Sequence, residues 1–552
     1  MPRRPWVCSV VLDLLAALPV YSQSQPVPAI PHLERRGDTT QLIVDGRPFL
    51  ALAGELHNNS ATSLEYMKPV WPRLAAMNLN TVLVPVSWAL LEPSEGKFDY
   101  SLVDGLVRDA RAQNLRLVLL WFGSWKNTWS SYAPDWVKRD FERFSRAPLQ
   151  NGSGTERLSP FCEANRNADA RAFAALMRRI KEVDSDAHTV IMIQVENEVG
   201  VVPDARDHSP AANAAYDRPV PTELMAYLQR HKDSLDPGLR AKWQGAGFKT
   251  SGNWEAVFGS GLETEDLFMA WHYARYIGTV AESGKAEYAL PMYANAALIR
   301  PNYAPGQYNS GGPLPHSMDI WKAGGPQLDF VAPDIYFEFK NWCAKYDRSD
   351  NPLFIPEADG DIQGAANVFY AVGHHRAFGF SPFAIDGTGS SGEGGKELAR
   401  SYEVLSQLAP LILENQPKGR VAGVLLDELT PTQRVRLGDY TLNVSGGGPR
   451  RIFPGEPISS ELPRAQTPHG VFISTGPDEF YIAGSGLAIT FSANTPGPPI
   501  VGLATVEEGR FVDGRWIRGR TLAGDDTGQG NSVSLRGGAG AGVLRVIVYR
   551  YR

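Results

Sequence analysis

Glu198 and Glu357 lie 159 residues apart (357 − 198), each at the end of a short apolar run. Paired carboxylates held at separate strand ends can divide proton transfer and nucleophilic attack between them. The first stretch, 189–200, begins with the apolar run Val190 to Ile193 and ends in Gln194, Glu196, Asn197 and Glu198. The run has the length of a buried strand. In a barrel of parallel strands, polar groups at a strand's C-terminal end face the mouth where chemistry takes place. On a regular strand Gln194, Glu196 and Glu198 would share one face and Asn197 the other, although strand ends are usually irregular. Taken alone, the stretch also fits a charged strand-to-helix loop. The second stretch, 351–360, is again a short apolar strand ending in a carboxylate, Glu357, followed by Asp359.

The segments between and around these two alternate between strand and helix signals. Short apolar runs at 49–53, 81–86, 115–120, 190–193, 290–294, 330–335, up to Glu357, and 377–385 read as eight strands. Helical spacing appears in Val70, Leu74 and Met77, in Leu102, Leu106 and Ala110, in Phe173, Met177 and Ile180, and over 398–413. Repeated alternation of this kind predicts an α/β chain whose parallel sheet closes into a barrel over 40–416; its count of eight, a (β/α)8 TIM barrel, is made with the help of the family resemblance described below. Near Pro417 the text changes to short alternating strands and glycine-rich turns. Leu487, Ile489 and Phe491, the Asp513-Gly514 turn and Leu544, Val546 and Val548 predict an all-β sandwich-type domain over 417–552. Residues 200–290 form an excursion longer than a normal strand–helix connection.

Two glutamates at distant strand ends are what glycoside hydrolysis requires. Asn197-Glu198 at one strand end and Glu357 at a later one resemble clan A of the glycoside hydrolases, in which the fourth strand ends in Asn-Glu, the acid/base, and the seventh in Glu, the nucleophile. The wider text resembles glycoside hydrolase family 35, the β-galactosidase family, in its bacterial branch with an extra C-terminal β domain. The resemblance runs from about Gly46 to the C-terminus and is densest at 46–100, 186–200 and 329–360. It implies that Glu198 is the general acid/base and Glu357 the nucleophile, about 5–5.5 Å apart for a retaining mechanism.

Tyr336 is then a candidate to hold Glu357, and Asn197 a candidate partner of the sugar 2-hydroxyl. Trp88, Trp125 and Trp271, with Trp121, Trp254 and Trp342, are candidate sugar platforms, with a core role the alternative for each. Glu55, Glu92 and Asp386 stand at strand ends where they could bind hydroxyls, and Glu92 also fits a structural turn. His57 fits sugar contact or packing. Glu196 is expected to pair with a basic residue beneath the site. The chain departs from family 35 at Leu56-His57-Asn58, where most members have Ile-His-Tyr. It departs again at Gly123-Ser124-Trp125-Lys126-Asn127, where most have Gly-Pro-Tyr followed by Ala-Glu-Trp.

The expected function is retaining exo-β-galactosidase action on terminal β-galactosyl residues of plant-type oligo- or polysaccharides, with xyloglucan side chains preferred over lactose. The alternatives are a β-glucosidase, β-arabinosidase or β-xylosidase, an inactive carbohydrate-binding barrel, or a non-sugar barrel enzyme using the Gly/Ser-rich loop 388–395 for phosphate. No cofactor or metal is expected. Net charge is −6, from 54 basic and 60 acidic residues, which leaves no basic stripe for nucleic acid. Residues 1–22 read as a signal peptide, with Arg3 and Arg4 before a short apolar stretch. Residues 23–39 follow as a linker, and no membrane anchor is expected. A secreted or periplasmic protein follows, either monomer or homo-oligomer. Apart from Cys8, the cysteines are Cys162 and Cys343, expected as free thiols rather than a disulfide framework.

Overall fold

The computed structural model describes residues 1–2, 29–387, 392–447, 467–535 and 542–552. Apart from its first two residues, the expected signal peptide lies outside these, as do residues 388–391 of the Gly/Ser-rich loop. Eight positions around a ring of parallel strands make the barrel: Ala51–Glu55, Thr81–Ser87, Arg116–Lys126, Val190–Asn197, Met292–Ala297, Phe330–Ile335, a split seventh strand, and Gly379–Phe380. The seventh strand is split because Pro356 has no N–H to give to a ladder. Phe354–Ile355 pairs with the eighth strand, Glu357–Ala358 pairs with the sixth, and the eighth pairs with the first, so the ring closes.

The barrel interior is a packed core. Leu83, Val118, Leu120, Met192, Tyr293, Phe330, Phe354 and Phe378 fill it in layers. Val84, Leu119, Ile193 and Val195 face outward into the larger cluster under the helices. Period-two alternation therefore sorts most strand residues into an inner and an outer set, the fourth strand breaking it where Ile191 and Met192 both join the interior cluster at a register shift. The barrel floor is closed by a three-stranded antiparallel sheet, His32–Arg36, Thr39–Val44 and Arg47–Phe49, whose Leu42 and Val44 join the interior cluster. Its Asp45-Gly46 turn has both residues left-handed, φ 51° and 73°. The strand His32–Arg36 falls where a linker was expected. Its sequence, His-Leu-Glu-Arg-Arg, is too polar to announce a strand, and its partner strand is what holds it.

The excursion between the fourth and fifth strands is helical: Pro210–Tyr216, Thr222–Arg230, Pro237–Gly245 and Trp254–Phe258 lead into the long helix Leu262–Glu287. Trp243, Trp254 and Trp271 are buried in this layer, so the excursion builds apolar core rather than an aromatic wall. Helix Glu393–Asn415 closes the barrel.

Two antiparallel sheets follow. The six-stranded one runs Val421–Leu425, His469–Ser474, Glu479–Ser485, Gly542–Tyr551, Ile500–Val512, Arg515–Thr521. The four-stranded one runs Thr432–Leu437, Tyr440–Gly446, Leu487–Ala493, Val533–Leu535. One face of the larger sheet, with Phe472, Phe480, Ile482, Leu544 and Val546, packs on Leu442, Val444, Leu487 and Ile489 of the smaller. The other face, with Val471, Ile473, Tyr481 and Ala483, joins the barrel's outer cluster. The β domain is thus a sandwich seated on the barrel through a doubly buried sheet. Cys162 and Cys343 are unpaired. Among the described residues no helix is long and apolar enough to cross a membrane.

Candidate active site

The end of the fourth strand is bent by two residues in the left-handed region, Glu196 at φ 63° and Glu198 at φ 44°. Non-glycine residues adopt that conformation at a cost, and such strain concentrates at functional sites. The bend overturns the simple parity of the strand. Glu196 leaves the face of Gln194 and enters the helix layer, where its carboxyl accepts the backbone N–H groups of Ser124 (3.0 Å) and Trp125 (2.6 Å). Its other neighbour is Asp169, itself held by Trp121 Nε1 (2.8 Å), Ser124 Oγ (2.6 Å) and Tyr276 (3.2 Å). Glu196 is therefore structural, but it pairs with backbone amides and a second acid, not with a basic residue. Burial and the neighbouring acid push its carboxyl well above the usual range.

Asn197 and Glu198 are left facing the mouth. The Glu198 N–H donates to Asn295 Oδ1 at 3.0 Å, and its carbonyl accepts from Asn309 at 2.8 Å, so neighbouring side chains fix the turn. Glu357 reaches the same space from the seventh strand. Its carboxylate accepts from the Tyr336 hydroxyl at 2.7 Å and from Asn197 Nδ2 at 3.4 Å. Burial, then the charges of Glu357 and Asp334, hold the Tyr336 phenol far above its ordinary range, so it stays a neutral donor.

Asp334 stands beside Glu357 in the sixth-strand register and accepts from Asn295 Nδ2 at 2.6 Å. Oxygens of Glu198, Asp334 and Glu357 all lie within 4.8 Å of one another. Burial, then the Glu357 charge, pushes Glu198 up to about 7. Burial and the surrounding carboxylates likewise raise Asp334 and Glu55 well above the usual range.

The counter-charge is Lys126, only 7% exposed, whose ammonium donates to Asn197 Oδ1 at 2.8 Å. Burial works to lower its pKa, but Glu357, Glu198, Glu55 and Asp334 outweigh it and keep the group charged. The three clustered carboxylates have the spacing to hold a divalent cation, yet the Lys126 ammonium already supplies positive charge to them.

Glu55, at the end of the first strand, is fully buried, and both of its carboxyl oxygens lack a protein partner. Asp386 accepts the His57 N–H at 2.8 Å, which places His57 at the rim with its ring exposed to solvent. Glu92 is buried against Trp88 Nε1 (2.8 Å) and the Gly96 N–H (2.7 Å), the structural turn anticipated for it.

The platform tryptophans are not at the mouth. Trp88, Trp121, Trp125 and Trp254 are fully or almost fully buried, and Trp271 and Trp342 nearly so. Trp125 donates to the Leu158 carbonyl at 3.1 Å and packs edge-on against Tyr273 and Tyr276. Trp88, Trp125 and Trp271 are accordingly core side chains, because each faces the helix layer rather than the strand's open end. The exposed aromatics near the mouth are Tyr336 and Trp129, each 39% exposed, with the Arg157 guanidinium over the Trp129 ring. Asp359 and Asp361 are exposed, and Asp361 caps helix Ile362–His374. Sequence reasoning missed Lys126, Asp334 and Trp129. For Lys126 the available signal was a lone cation at a strand end where the chain departs from family 35.

Comparison with known proteins gives two family matches. Residues 65–255 match the family described as Beta-galactosidase (Glyco_hydro_42), and residues 398–534 match a domain of unknown function, DUF5597. A β-galactosidase of Xanthomonas manihotis is 29% identical over 210 residues, 37% of this chain and 32% of that protein. This chain thus spans about a third of that relative. The cold-adapted β-galactosidase of Rahnella sp. R3 is similar in structure at 16% identity, over 65% of this chain and 56% of its own, with a TM-score of 0.45. The GH42 β-galactosidase Gan42B (from G.) is 10% identical over 94% of this chain and 100% of its own, with a TM-score of 0.49. The resemblance to β-galactosidase-type glycoside hydrolases is supported by the family match over 65–255 and by the Xanthomonas manihotis relative. The narrower family-35 resemblance is not, since the model that matches is the family-42 one.

Proposed function

We propose that the protein is a retaining exo-β-galactosidase, with the barrel as its catalytic unit and Glu198 and Glu357 as its reacting carboxylates. The observation that carries this reading is the carboxylate pair itself. The two groups approach within 4.8 Å, well under the separation of roughly 6.5–9.5 Å that an inverting enzyme needs for an intervening water. Their surroundings differ as the roles demand. Glu198, pushed up to about 7 by burial and by Glu357, carries a proton near neutral pH and gives it to the leaving oxygen. Glu357, held by Tyr336 and Asn197, attacks the anomeric carbon to form a glycosyl-enzyme. Glu198 then takes a proton from the water that hydrolyses the intermediate.

Asn197, fixed by Lys126, stands where a 2-hydroxyl would lie, and the unpartnered oxygens of Glu55 would accept hydroxyls of the enclosed sugar. Galactose is supported by the β-galactosidase match over 65–255. A preference for a galactosylated, xyloglucan-like oligosaccharide over lactose is the finer part of the proposal. The proposal includes export guided by residues 1–22.

The test is a panel of aryl β-glycosides with Glu357→Ala as control, together with proton NMR of the first-formed sugar. Galactoside hydrolysis with net retention, lost in the variant, is the expected result. A first product of inverted configuration sinks the mechanism. Activity on glucosides, xylosides or arabinosides with galactosides inert sinks the sugar assignment.

A further inference from the structure

A groove of about 540 Å³ is lined by Tyr336, the residue that holds Glu357, and one of its walls belongs to the β domain. Its volume is in the range of about 300–1,000 Å³ typical of small-ligand sites. Tyr336 links the groove to the site: its hydroxyl donates to Glu357, while the residue lines the groove and is 39% exposed. The half-buried ring of Phe337 continues the aromatic surface. Asn341 and Gln363, both exposed, add amide groups from the helices after the sixth and seventh strands. Leu425 and Asp427, from the first strand of the larger β sheet and the turn after it, complete the lining.

Two polar fasteners bracket this wall. On one side, Lys340 donates to Asp427 Oδ2 at 2.5 Å and to Thr430 Oγ1 at 2.9 Å, and Asp427 Oδ1 in turn accepts the Thr430 N–H and hydroxyl, both at 2.6 Å. On the other, the Thr467 hydroxyl donates to Gln363 Oε1 at 2.5 Å, while Gln363 Nε2 donates to Asn367 at 2.9 Å. The β domain is therefore tied to the helices after both the sixth and the seventh strands.

We propose that this groove is the binding site for the leaving-group part of an oligosaccharide substrate, and that the β domain's role is to supply its outer wall. The inference rests on the exo-glycosidase reading above. If a single terminal sugar is enclosed between Glu198 and Glu357, any further sugar held by the protein lies beyond the scissile bond. The lining suits sugars. Aromatic faces take the C–H surfaces of pyranose rings, and amides and carboxylates take hydroxyls. The many polar and charged groups do not suit an apolar partner.

The full-length protein is compared with Asn341→Trp, which fills the groove from an exposed position, and Gln363→Ala, which removes an amide. Each is assayed on an aryl β-galactoside and on a galactosylated xyloglucan oligosaccharide, with circular dichroism as the folding control. The ratio of kcat/KM for the oligosaccharide to that for the aryl glycoside should fall about tenfold in Asn341→Trp. In Gln363→Ala, which also releases the Thr467 fastener, it should fall at least roughly threefold. The xyloglucan oligosaccharide already stripped of galactose, titrated calorimetrically, should bind the native protein and bind Asn341→Trp at least about tenfold more weakly. An unchanged ratio in both folded variants, or no heat with the native protein, overturns the groove assignment. If every β-galactoside is inert, the exo-galactosidase reading fails. The titration then decides the groove independently: binding that is lost in Asn341→Trp supports it.

Discussion

Lys126 sets the electrical balance of the site. A buried ammonium faces Glu55, Glu198, Asp334 and Glu357, and it also orients Asn197, the side chain that reaches Glu357. In the proposed mechanism Glu198 must be protonated to act as an acid, so activity should fall as pH rises through about 7. The Lys126 charge acts to lower the Glu198 pKa. Its removal raises that pKa, so Lys126→Met should carry the alkaline limb of kcat/KM to higher pH. The same variant should lower kcat by at least about a hundredfold, the lower end of what positioned proton transfer contributes. A pH–rate profile on an aryl galactoside measures both. A limb that stays in place or moves down in pH rules out this role. Asn197, Glu198, Tyr336 and Glu357 were legible in the sequence because each closes an apolar run with a polar group. Asp334 was hidden inside the run Phe330–Ile335. The tryptophans misled because a ring that packs in a core and a ring that stacks on a sugar have the same letter.

At the scale of elements, the end of the fourth strand is positioned from behind. Glu196 fastens it to the Ser124 and Trp125 amides of the third strand, and Asp169 sits against that carboxyl from helix Glu163–Asp184. Both acids are raised, Glu196 by burial and then by Asp169, Asp169 chiefly by burial. A carboxyl whose folded value lies above its unfolded one, about 4.3 for Glu, contributes stability that is complete below that pH and is lost as pH rises through the folded value. Native Tm should therefore fall between pH 5 and pH 8. Glu196→Gln, which keeps one acceptor oxygen for these amides and no longer ionises, should shrink that fall without abolishing it, because Glu55 and Asp334 are raised in the same way. Thermal melts at the two pH values decide, and an undiminished fall in the variant refutes the account. The sequence could not show this bend, because parity assumes regular φ and ψ, and Glu196 and Glu198 have neither. It also overextended the eighth strand: 377–385 is apolar but for Ser381, yet only Gly379–Phe380 pairs.

For the molecule as a whole, the alternation of apolar strands and amphipathic helices, counted with the help of the family resemblance, read as a barrel followed by a β domain. The seating of one on the other was not legible, because Val471, Phe472 and Ile473 form one unbroken apolar run and a run does not say which face meets which partner. The structure answers through a glycine contact. A Cβ at Gly423 would lie 2.8 Å from the His374 nitrogen and 2.8 Å from the Phe369 carbonyl oxygen, and one at Gly373 would lie 2.7 Å from Gly423 Cα. These are backbone atoms of helix Ile362–His374 and of the sheet's first strand, so a side chain here is accommodated only by separating the two units. Overpacking of this kind typically costs about 1–3 kcal/mol. Gly423→Val should lower Tm accordingly. Because the strand that carries Gly423 leads directly to Leu425 and Asp427, it should also displace the groove wall. Turnover of a galactosylated oligosaccharide should then fall further than turnover of an aryl galactoside. Calorimetry and the two assays together test the seam. A variant that melts at the native temperature and keeps the native substrate ratio would mean that the β domain's seating has no bearing on either stability or the groove.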